Sequence, residues 1–305
     1  MSPNDTPLTR RRTLRIAGGL AAGGIVGTAG CSSADVGLGG EENTPVVHGA
    51  VEGGTTGILA TIMQAQGIDA KHGIDLQPQY FTSPPAVQQQ LMLNEDIPTA
   101  YMGSILATRM HSEGQRPQLV GPYMLNHTYV LAQADGPVQE PADLAGKTVS
   151  FASTAADAWL KFVVMLETAH GVHPDELEFV QSAPPAALSL LERGEVDAIL
   201  SFEPLVTIAE TRFDFETIFV PREAWEAEES LPLTTVDLAW VKEWYDANPD
   251  AAVGLARALR ESQQYIQDNM DGVIDEHSES FGFETQEQID LGKERLTEIY
   301  PTEWN

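Results

Sequence analysis

The hydrophobic positions after residue 45 alternate between short apolar runs and longer stretches with helical spacing. Residues 46–51, VVHGAV, and residues 74–81, IDLQPQYF, each predict a strand. Between them, apolar residues recur at helical intervals from Ile58 to Ile68, directly after the glycine-rich turn at 53–57. The first stretch therefore predicts a strand, a turn, a helix and a second strand.

The same alternation continues along the chain. Ser83 followed by two prolines predicts a helix start, with serine as the cap and proline in the first turn. Residues 98–103 predict a strand that ends on glycine, and residues 104–114 a helix. A second alternating block begins near Tyr129 and runs through the strand and Glu-Pro pair at 196–204. Strand and helix in regular alternation predict an α/β fold with largely parallel strands.

The part after residue 230 has a different pattern. Pro249 divides what reads as two helices, the second with an apolar stripe from Val253 to Ile266. The remainder to residue 305 predicts acidic helices interrupted by glycine. No internal repeat is strong enough to indicate a solenoid.

The first thirty residues have the layout of an export signal. Residues 9–15, TRRRTLR, are cationic and resemble a twin-arginine signal, with Thr13 where phenylalanine is usual. Residues 16–30 carry no charge and are too few to span a bilayer as a helix, which takes about 20 residues. Residues 28–31, TAGC, resemble a lipobox, with Thr28 where leucine is usual.

Cys31 is the one cysteine of the chain, so it has no partner for an internal disulfide. The resemblance implies that it becomes the lipidated first residue of the mature protein, after an export signal at 1–30. Residues 31–45 then predict a flexible tether of small, polar and acidic residues. The alternative is a soluble secreted protein cut nearby. We expect the protein on the outer face of the cell membrane, held by this lipid.

The chain is strongly acidic, with 45 Asp and Glu against 17 Lys and Arg and a formal net charge of −28. This balance argues against a nucleic-acid partner, which needs a basic surface. The acids are spread along the chain, and 42% of the residues are hydrophobic, so a sizeable core is expected rather than disorder. Because salt screens such self-repulsion, the composition also favours a halophilic source over an ordinary acidic protein.

Residues 143–204 resemble ABC-transporter substrate-binding proteins of the nitrate, sulfonate, taurine and thiamine-pyrimidine-precursor group. The motifs that carry the resemblance are, in chain order, Asp143-Leu144-Ala145-Gly146-Lys147, Ser153-Thr154-Ala155, His173-Pro174-Asp175, Gly194-Glu195-Val196-Asp197-Ala198 and Glu203-Pro204. The resemblance covers most of residues 46–270.

The resemblance implies a two-lobed periplasmic-binding-protein fold of type II, each lobe a mostly parallel sheet flanked by helices. Lobe 1 is expected from residues 46–128 and 232–305, and lobe 2 from residues 129–231. The chain would cross between them near 128–131 and 218–232. A ligand would bind in the cleft, and the lobes would close on it by a hinge motion.

Ligands of open α/β sheets bind beyond the carboxyl ends of the strands, where helix N-termini point N–H groups outward. Five turns follow predicted strands in this way. Their candidate ligand-binding residues are Gly53, Gly54, Thr55, Thr56, Ser83, Gly103, Ser104, Ser153, Thr154, Ala155, Phe202 and Glu203. Each turn could instead be an ordinary helix cap.

Glu52, Asp157 and Glu203 are acids that could border the cleft and would favour a cationic or hydrogen-bonding heterocyclic ligand, such as an aminopyrimidine, over an anion. In so acidic a chain, however, acids near any position are expected. Six aromatic residues could stack on a flat ligand or belong to the core: Tyr101, Tyr123, Tyr129, Phe151, Trp159 and Phe202.

No catalytic residue, cofactor or metal site is predicted. His170 and His173 straddle Gly171, so we expect helix-end roles for them. The leading hypothesis is a monomeric binding protein that delivers a small organic solute to an ABC permease and performs no chemistry. The alternatives are an enzyme of the thiamine-pyrimidine synthase type on the same fold, and a lipid-anchored ligand sensor. The resemblance implies that the enzyme branch carries a cysteine-rich iron-binding motif, and this chain has no cysteine after Cys31.

Overall fold

Two five-stranded sheets form the framework of the protein in a computed structural model that describes residues 43–93, 96–229 and 231–304. The predicted export signal, Cys31 and most of the predicted tether lie outside the described residues. The first sheet contains β1 (Thr44–Val51), β2 (Ile74–Phe81), β3 (Thr99–Met102), β4 (Pro117–Leu125) and β10 (Thr234–Val241). The second contains β5 (Thr128–Gln133), β6 (Thr148–Phe151), β7 (Glu178–Gln181), β8 (Ala198–Phe202) and β9 (Phe215–Phe219).

Helices pack around both sheets. The α-helices of the described residues are α1 (Gly54–Ala65), α2 (Ile68–Lys71), α3 (Pro84–Leu93), α4 (Ser104–Ser112), α5 (Asp157–His170), α6 (Pro184–Glu192), α7 (Leu205–Arg212), α8 (Pro221–Glu226), α9 (Lys242–Ala247), α10 (Pro249–Asp268), α11 (Met270–Phe281) and α12 (Gln286–Thr297). Two short 3-10 helices cover Pro141–Leu144 and Pro174–Glu176.

The strand order is β2-β1-β3-β10-β4 in the first sheet and β7-β6-β8-β5-β9 in the second. In the first sheet only β10 runs against its neighbours, and in the second only β5 does. Four of the five strands in each sheet therefore point the same way. This confirms the prediction of an α/β fold with mostly parallel sheets flanked by helices.

The cores follow from the apolar patterns. The first sheet packs one large cluster against α1, α3 and α10, while the second carries one cluster on each face. Along α10, Leu255, Leu259 and Ile266 are buried, as the stripe predicted. Val253, which the prediction placed in the same stripe, is 45% exposed because it lies on the opposite side of the helix.

One segment was predicted wrongly. The start of the stretch read as a helix before Pro249 is strand β10, and the helix α9 begins only at Lys242. Strand β10 lies between β3 and β4 and buries Val236, Leu238, Ala239 and Trp240. A strand buried on both faces has a continuous apolar run, which periodicity cannot separate from a buried helix. The prediction also did not include β4 and β9.

The chain crosses between the two sheets twice. It leaves β4 at Leu125 and enters β5 at Thr128, so the first crossing is Asn126 and His127. It returns between β9 and β10 by way of α8. The described residues all belong to one compact unit, and the lobe boundaries stay a prediction. Among the described helices, none is both long and apolar enough to cross a membrane.

Candidate functional site

The predicted turns lie at one edge of each sheet. Strands β1, β2 and β3 are parallel, so the turns that follow them share the carboxyl edge of the first sheet. Strands β6, β7 and β8 are likewise parallel, so residues 153–155 and 202–203 share the carboxyl edge of the second sheet. The predicted site residues therefore form two sets, one at the carboxyl edge of each sheet.

The first crossing holds these two edges close together. Strand β4 ends at the carboxyl edge of the first sheet, and β5 begins at the carboxyl edge of the second. Only Asn126 and His127 separate the two strands. Since three Cα–Cα steps reach at most about 11 Å, the two edges lie within that distance of each other here.

Asp157 connects the two edges directly. It begins α5, beside the second sheet, and its carboxylate accepts the backbone N–H groups of Ile105 and Leu106 at 2.8 and 3.0 Å. Those N–H groups belong to the first turn of α4, beside the first sheet. A Cβ atom on Gly103 would lie 2.4 Å from Cγ of Asp157, so only glycine allows this approach.

Lys161 lies one turn further along α5 and makes the complementary contact. Its ammonium donates to the carbonyl oxygens of Thr234 and Thr235, on β10, at 2.8 and 3.4 Å. It also lies 3.8 Å from the carboxylate of Asp157. Burial lowers the pKa of Lys161, and the carboxylates of Asp157 and Asp237 partly oppose that shift.

Asp237 adds a second carboxyl group at this place. Burial raises its pKa from 3.8 to about 6, while Lys161 and a hydrogen bond from Thr234 act in the opposite direction. The negative charge of Asp157 contributes to this rise and is the smallest of these influences on the pKa of Asp237. Two acids and one amine thus share the space between α4, α5 and β10.

The turn before α1 contains two glycines with positive φ and is held by hydrogen bonds from two buried tyrosines. Gly53 and Gly54 have φ of 70° and 64°, values that L side chains rarely adopt. The carbonyl oxygens of Thr55 and Thr56 accept the phenol O–H groups of Tyr300 and Tyr123 at 2.9 and 3.2 Å. These buried phenols hold the turn in place, and the preceding Glu52 is exposed.

The serine turns serve as helix starts. The carbonyl oxygen of Ser83 accepts the N–H groups of Ala86 and Val87. Ser153 Oγ accepts the N–H of Ala155 at 3.1 Å, and Thr154 and Ala155 are exposed. Ser104 uses its carbonyl oxygen to accept the hydroxyl of Thr108. These contacts fit the helix-cap alternative, and a ligand role for these residues stays a prediction.

Glu203 is fully buried and already bonded. It accepts the N–H of Thr207 at 3.2 Å and pairs with Arg295 of α12 at 3.3 Å. Arg295 also pairs with Glu210 and lies over the ring of Tyr129. Burial raises the pKa of Glu203, and the nearby Arg295 opposes that rise. Glu203 is therefore part of an ion-pair group, and whether it also reaches a ligand stays a prediction.

His127 of the crossing lies between the two edges. Its Nδ1 is 3.1 Å from both the carbonyl oxygen of Leu125 and the hydroxyl of Thr235, and its ring meets Phe202 edge-on. Burial lowers its pKa to about 4, so the ring is neutral at pH 7. Beside the return crossing, Arg222 pairs with Glu298 at 2.6 Å.

Sequence reasoning missed Lys161, Asp237, Arg295 and the β10 carbonyl groups. Only Lys161 had a signal, because it lies four residues after Asp157 and so shares its helix face. Of the six aromatic candidates, Phe202 alone is half-buried, and the core alternative is confirmed for Tyr101, Tyr123, Tyr129, Phe151 and Trp159.

The remaining candidates are outside this arrangement. Within the described residues, no group of three His, Cys, Asp or Glu is placed to hold a metal ion. His170 ends α5, and His173 caps the short 3-10 helix that follows, as expected. A cavity of about 660 Å³ lies elsewhere, against α10, α11 and α12, and none of the predicted site residues lines it.

The chain belongs to the NMT1-like family, whose profile matches residues 39–275. It is 23% identical to the nitrate/nitrite binding protein NrtA of Synechococcus elongatus, over 85% of this chain and 67% of that protein. The fold is similar to that of the alkanesulfonate-binding protein SsuA from Xanthomonas axonopodis pv. citri, with a TM-score of 0.68, 14% identity and coverage of 85% and 86%.

The periplasmic aliphatic sulphonate binding protein SsuA of Escherichia coli is a second similar structure. Its TM-score is 0.66 at 14% identity, and the match covers 82% of this chain and 78% of that one. The protein thus has the two-sheet fold of these binding proteins, and its relatives bind small molecules.

Proposed function

We propose that this chain is an extracytoplasmic solute-binding protein that delivers a small organic ligand to an ABC importer. The observation that carries the proposal is the meeting of the two carboxyl edges, which the first crossing joins through only two residues. A ligand between those edges would touch both sheets at once. Membership of a family whose named relatives are binding proteins supports this function.

The two sheets would act as two lobes, residues 46–128 with 232–305 and residues 129–231, with the chain crossings as the hinge. Closure would bring the turns after β1, β2 and β3 towards those after β6 and β8. Backbone N–H groups and the hydroxyls of Thr55, Ser104 and Ser153 would supply hydrogen bonds to the ligand. The protein would perform no chemistry and work as a monomer with its permease.

The same proposal includes the location of the protein in the cell. Export through the signal at 1–30 and a lipid on Cys31 would keep the receptor at the outer face of the membrane, with residues 31–45 as its tether. The high acid content would keep it soluble in strong salt.

A thermal-shift screen of the purified protein in high salt tests the function. The panel contains nitrate, sulfonates, bicarbonate, aminopyrimidines, polyamines and flavin-like heterocycles. A ligand that binds only the folded state stabilises it by about 2.7 kcal/mol at a hundredfold excess over its Kd, which raises the melting temperature measurably. At least one hit is expected. A folded protein that turns over its ligand, or that binds no small molecule, would contradict the proposal.

A further inference from the structure

We propose that Asp157 sets the ligand class of this receptor: it favours cationic or neutral ligands and excludes small oxyanions such as nitrate and sulfonates. The inference rests on the proposed function, because it concerns the ligand that enters between the facing edges. It differs from what the names of the relatives suggest, and it comes from contacts that this chain's own residues make.

The carboxylate of Asp157 already occupies the place that an anion would need. Both of its oxygens are used, one on the N–H of Ile105 and one on the N–H of Leu106. Helix N-termini attract anions through such N–H groups and through the helix dipole. An oxyanion arriving at α4 would meet N–H groups that are taken and a carboxylate of its own sign.

Gly103 shows that the sequence accommodates this contact specifically. Its φ and ψ of −71° and 144° are open to any residue, so the backbone does not require glycine here. The requirement comes from Asp157, whose carboxylate carbon would lie 2.4 Å from a Cβ at this position. The missing side chain at residue 103 and the acid at residue 157 fit each other across the two edges.

Among the described residues, three buried cations near the two edges have their charge offset by the chain's own carboxylates. Each of the three is at least 80% buried and forms ion pairs. The pairs are Lys161 with Asp157, Arg295 with Glu203 and Glu210, and Arg222 with Glu298 and Glu226. The Nε–H of Arg222 is buried without a hydrogen-bond partner, but the guanidinium to which it belongs already pairs with Glu298 and Glu226, so its positive charge is offset.

The charge that remains near Asp157 is negative. Asp237 is ionised at neutral pH, since burial raises its pKa only to about 6. With Asp157 and Lys161 it makes a group of two acids and one amine. A cationic ligand would gain from this field, and a neutral heterocycle with N–H donors could bind carboxylate oxygens. An anionic ligand would be repelled by this group.

Calorimetric titration of three proteins tests this assignment: the wild type, Asp157→Ala and Asp237→Asn. The probes are nitrate, methanesulfonate, an aminopyrimidine and spermidine, at constant ionic strength. The wild type is expected to bind neither anion. Asp157→Ala frees the two N–H groups of α4 and removes the repulsion, so its affinity for an anion should rise at least about tenfold.

Asp237→Asn is the matched control, because it removes one negative charge from the same group but leaves the α4 N–H groups covered. It should gain much less anion affinity than Asp157→Ala. An equal gain in both variants would overturn the claim that the occupied N–H groups decide the ligand class. If Asp157→Ala does not fold, Asp157→Asn replaces it, with a gain in the same direction.

Two other results would also overturn the inference: a wild type that binds nitrate or methanesulfonate at micromolar concentration, or an Asp157→Ala variant that folds and gains no anion affinity. Failure of the proposed function has a different signature. A wild type that binds no small molecule contradicts that function, while anion binding gained by Asp157→Ala still supports the role of Asp157.

Discussion

The two sheets meet in two regions that are built differently. In the central contact, made by Asp157 and Lys161 with α4 and β10, side chains of one part bind backbone groups of the other. In the lateral contact, made by Glu203, Glu210 and Arg295, charged side chains bind each other. The central contact depends on the position of backbone N–H and carbonyl groups. The lateral contact depends on pairing buried charges of opposite sign.

The comparison explains how so acidic a chain can hold its two sheets in contact. Backbone N–H and carbonyl groups carry no net charge, so the central contact places an acid and an amine without needing further cations. The lateral contact uses a scarce arginine to offset buried acids. Because the buried cations are paired in holding the sheets together, a ligand that binds as proposed would find its partners mainly among acids and backbone groups.

The largest effect is expected where charge is buried. Arg295→Met leaves Glu203, which is fully buried, without its positive partner, and should lower the free energy of unfolding by about 3 kcal/mol. Urea denaturation measures this. Arg193→Met is the control: Arg193 pairs with Glu195 on the surface with 53% of its side chain exposed, so this variant should lose far less stability than Arg295→Met. Equal losses in both variants would show that the lateral contact does not depend on burial.

A smaller effect is expected in the central contact. Gly103→Ala would push the Asp157 carboxylate off α4 and should cost about 2 kcal/mol of stability through overpacking and lost hydrogen bonds. In the Asp157→Ala background the same substitution should cost almost nothing, because the clashing atoms are gone. A cost that is the same in both backgrounds would place the clash elsewhere.

The smallest effect is a dependence on pH. Because the folded-state pKa of Asp237 is about 6, above its usual 3.8, the folded protein binds this proton more tightly than the unfolded chain. The carboxyl therefore favours folding below about pH 4 and ceases to as pH rises through 6. The free energy of unfolding of Asp237→Asn minus that of the wild type should be about 1–2 kcal/mol larger at pH 7 than at pH 4.

Denaturation at several pH values checks this, and the buried His48 and His127 are common to both proteins, so their titration cancels. A stability difference that does not change between pH 4 and pH 7 would mean that Asp237 titrates normally in the folded protein.

Much of the fold could be predicted because local patterns and the final structure agree. Strand β2 has the predicted bounds, and the glycine turn at 53–57 leads into α1 as expected. The prediction failed at β10, whose neighbours β3 and β4 come from more than a hundred residues earlier. Whether an apolar run pairs as a strand between them is decided by tertiary contacts that leave no mark on periodicity.

Some features of the candidate site could likewise be predicted from the sequence, and others could not. The edge turns could be predicted, because each follows a strand directly and parallel strands end together. The partners across the edges could not, since Asp157 meets Leu106 and Glu203 meets Arg295 only after the two sheets face each other. The sequence flagged Asp157 as an acid near the cleft but carried no sign that α4 would already be its partner.

Amide hydrogen exchange, with and without a ligand found in the thermal-shift screen, would show directly whether the ligand binds between the two carboxyl edges. If the ligand binds between the carboxyl edges, it should slow exchange at residues 53–56, 103–106 and 153–158 in both sheets at once. Protection confined to the residues of α10, α11 and α12 around the 660 Å³ cavity would contradict the claim. Such a result would move the ligand away from the facing edges, and Asp157 with it.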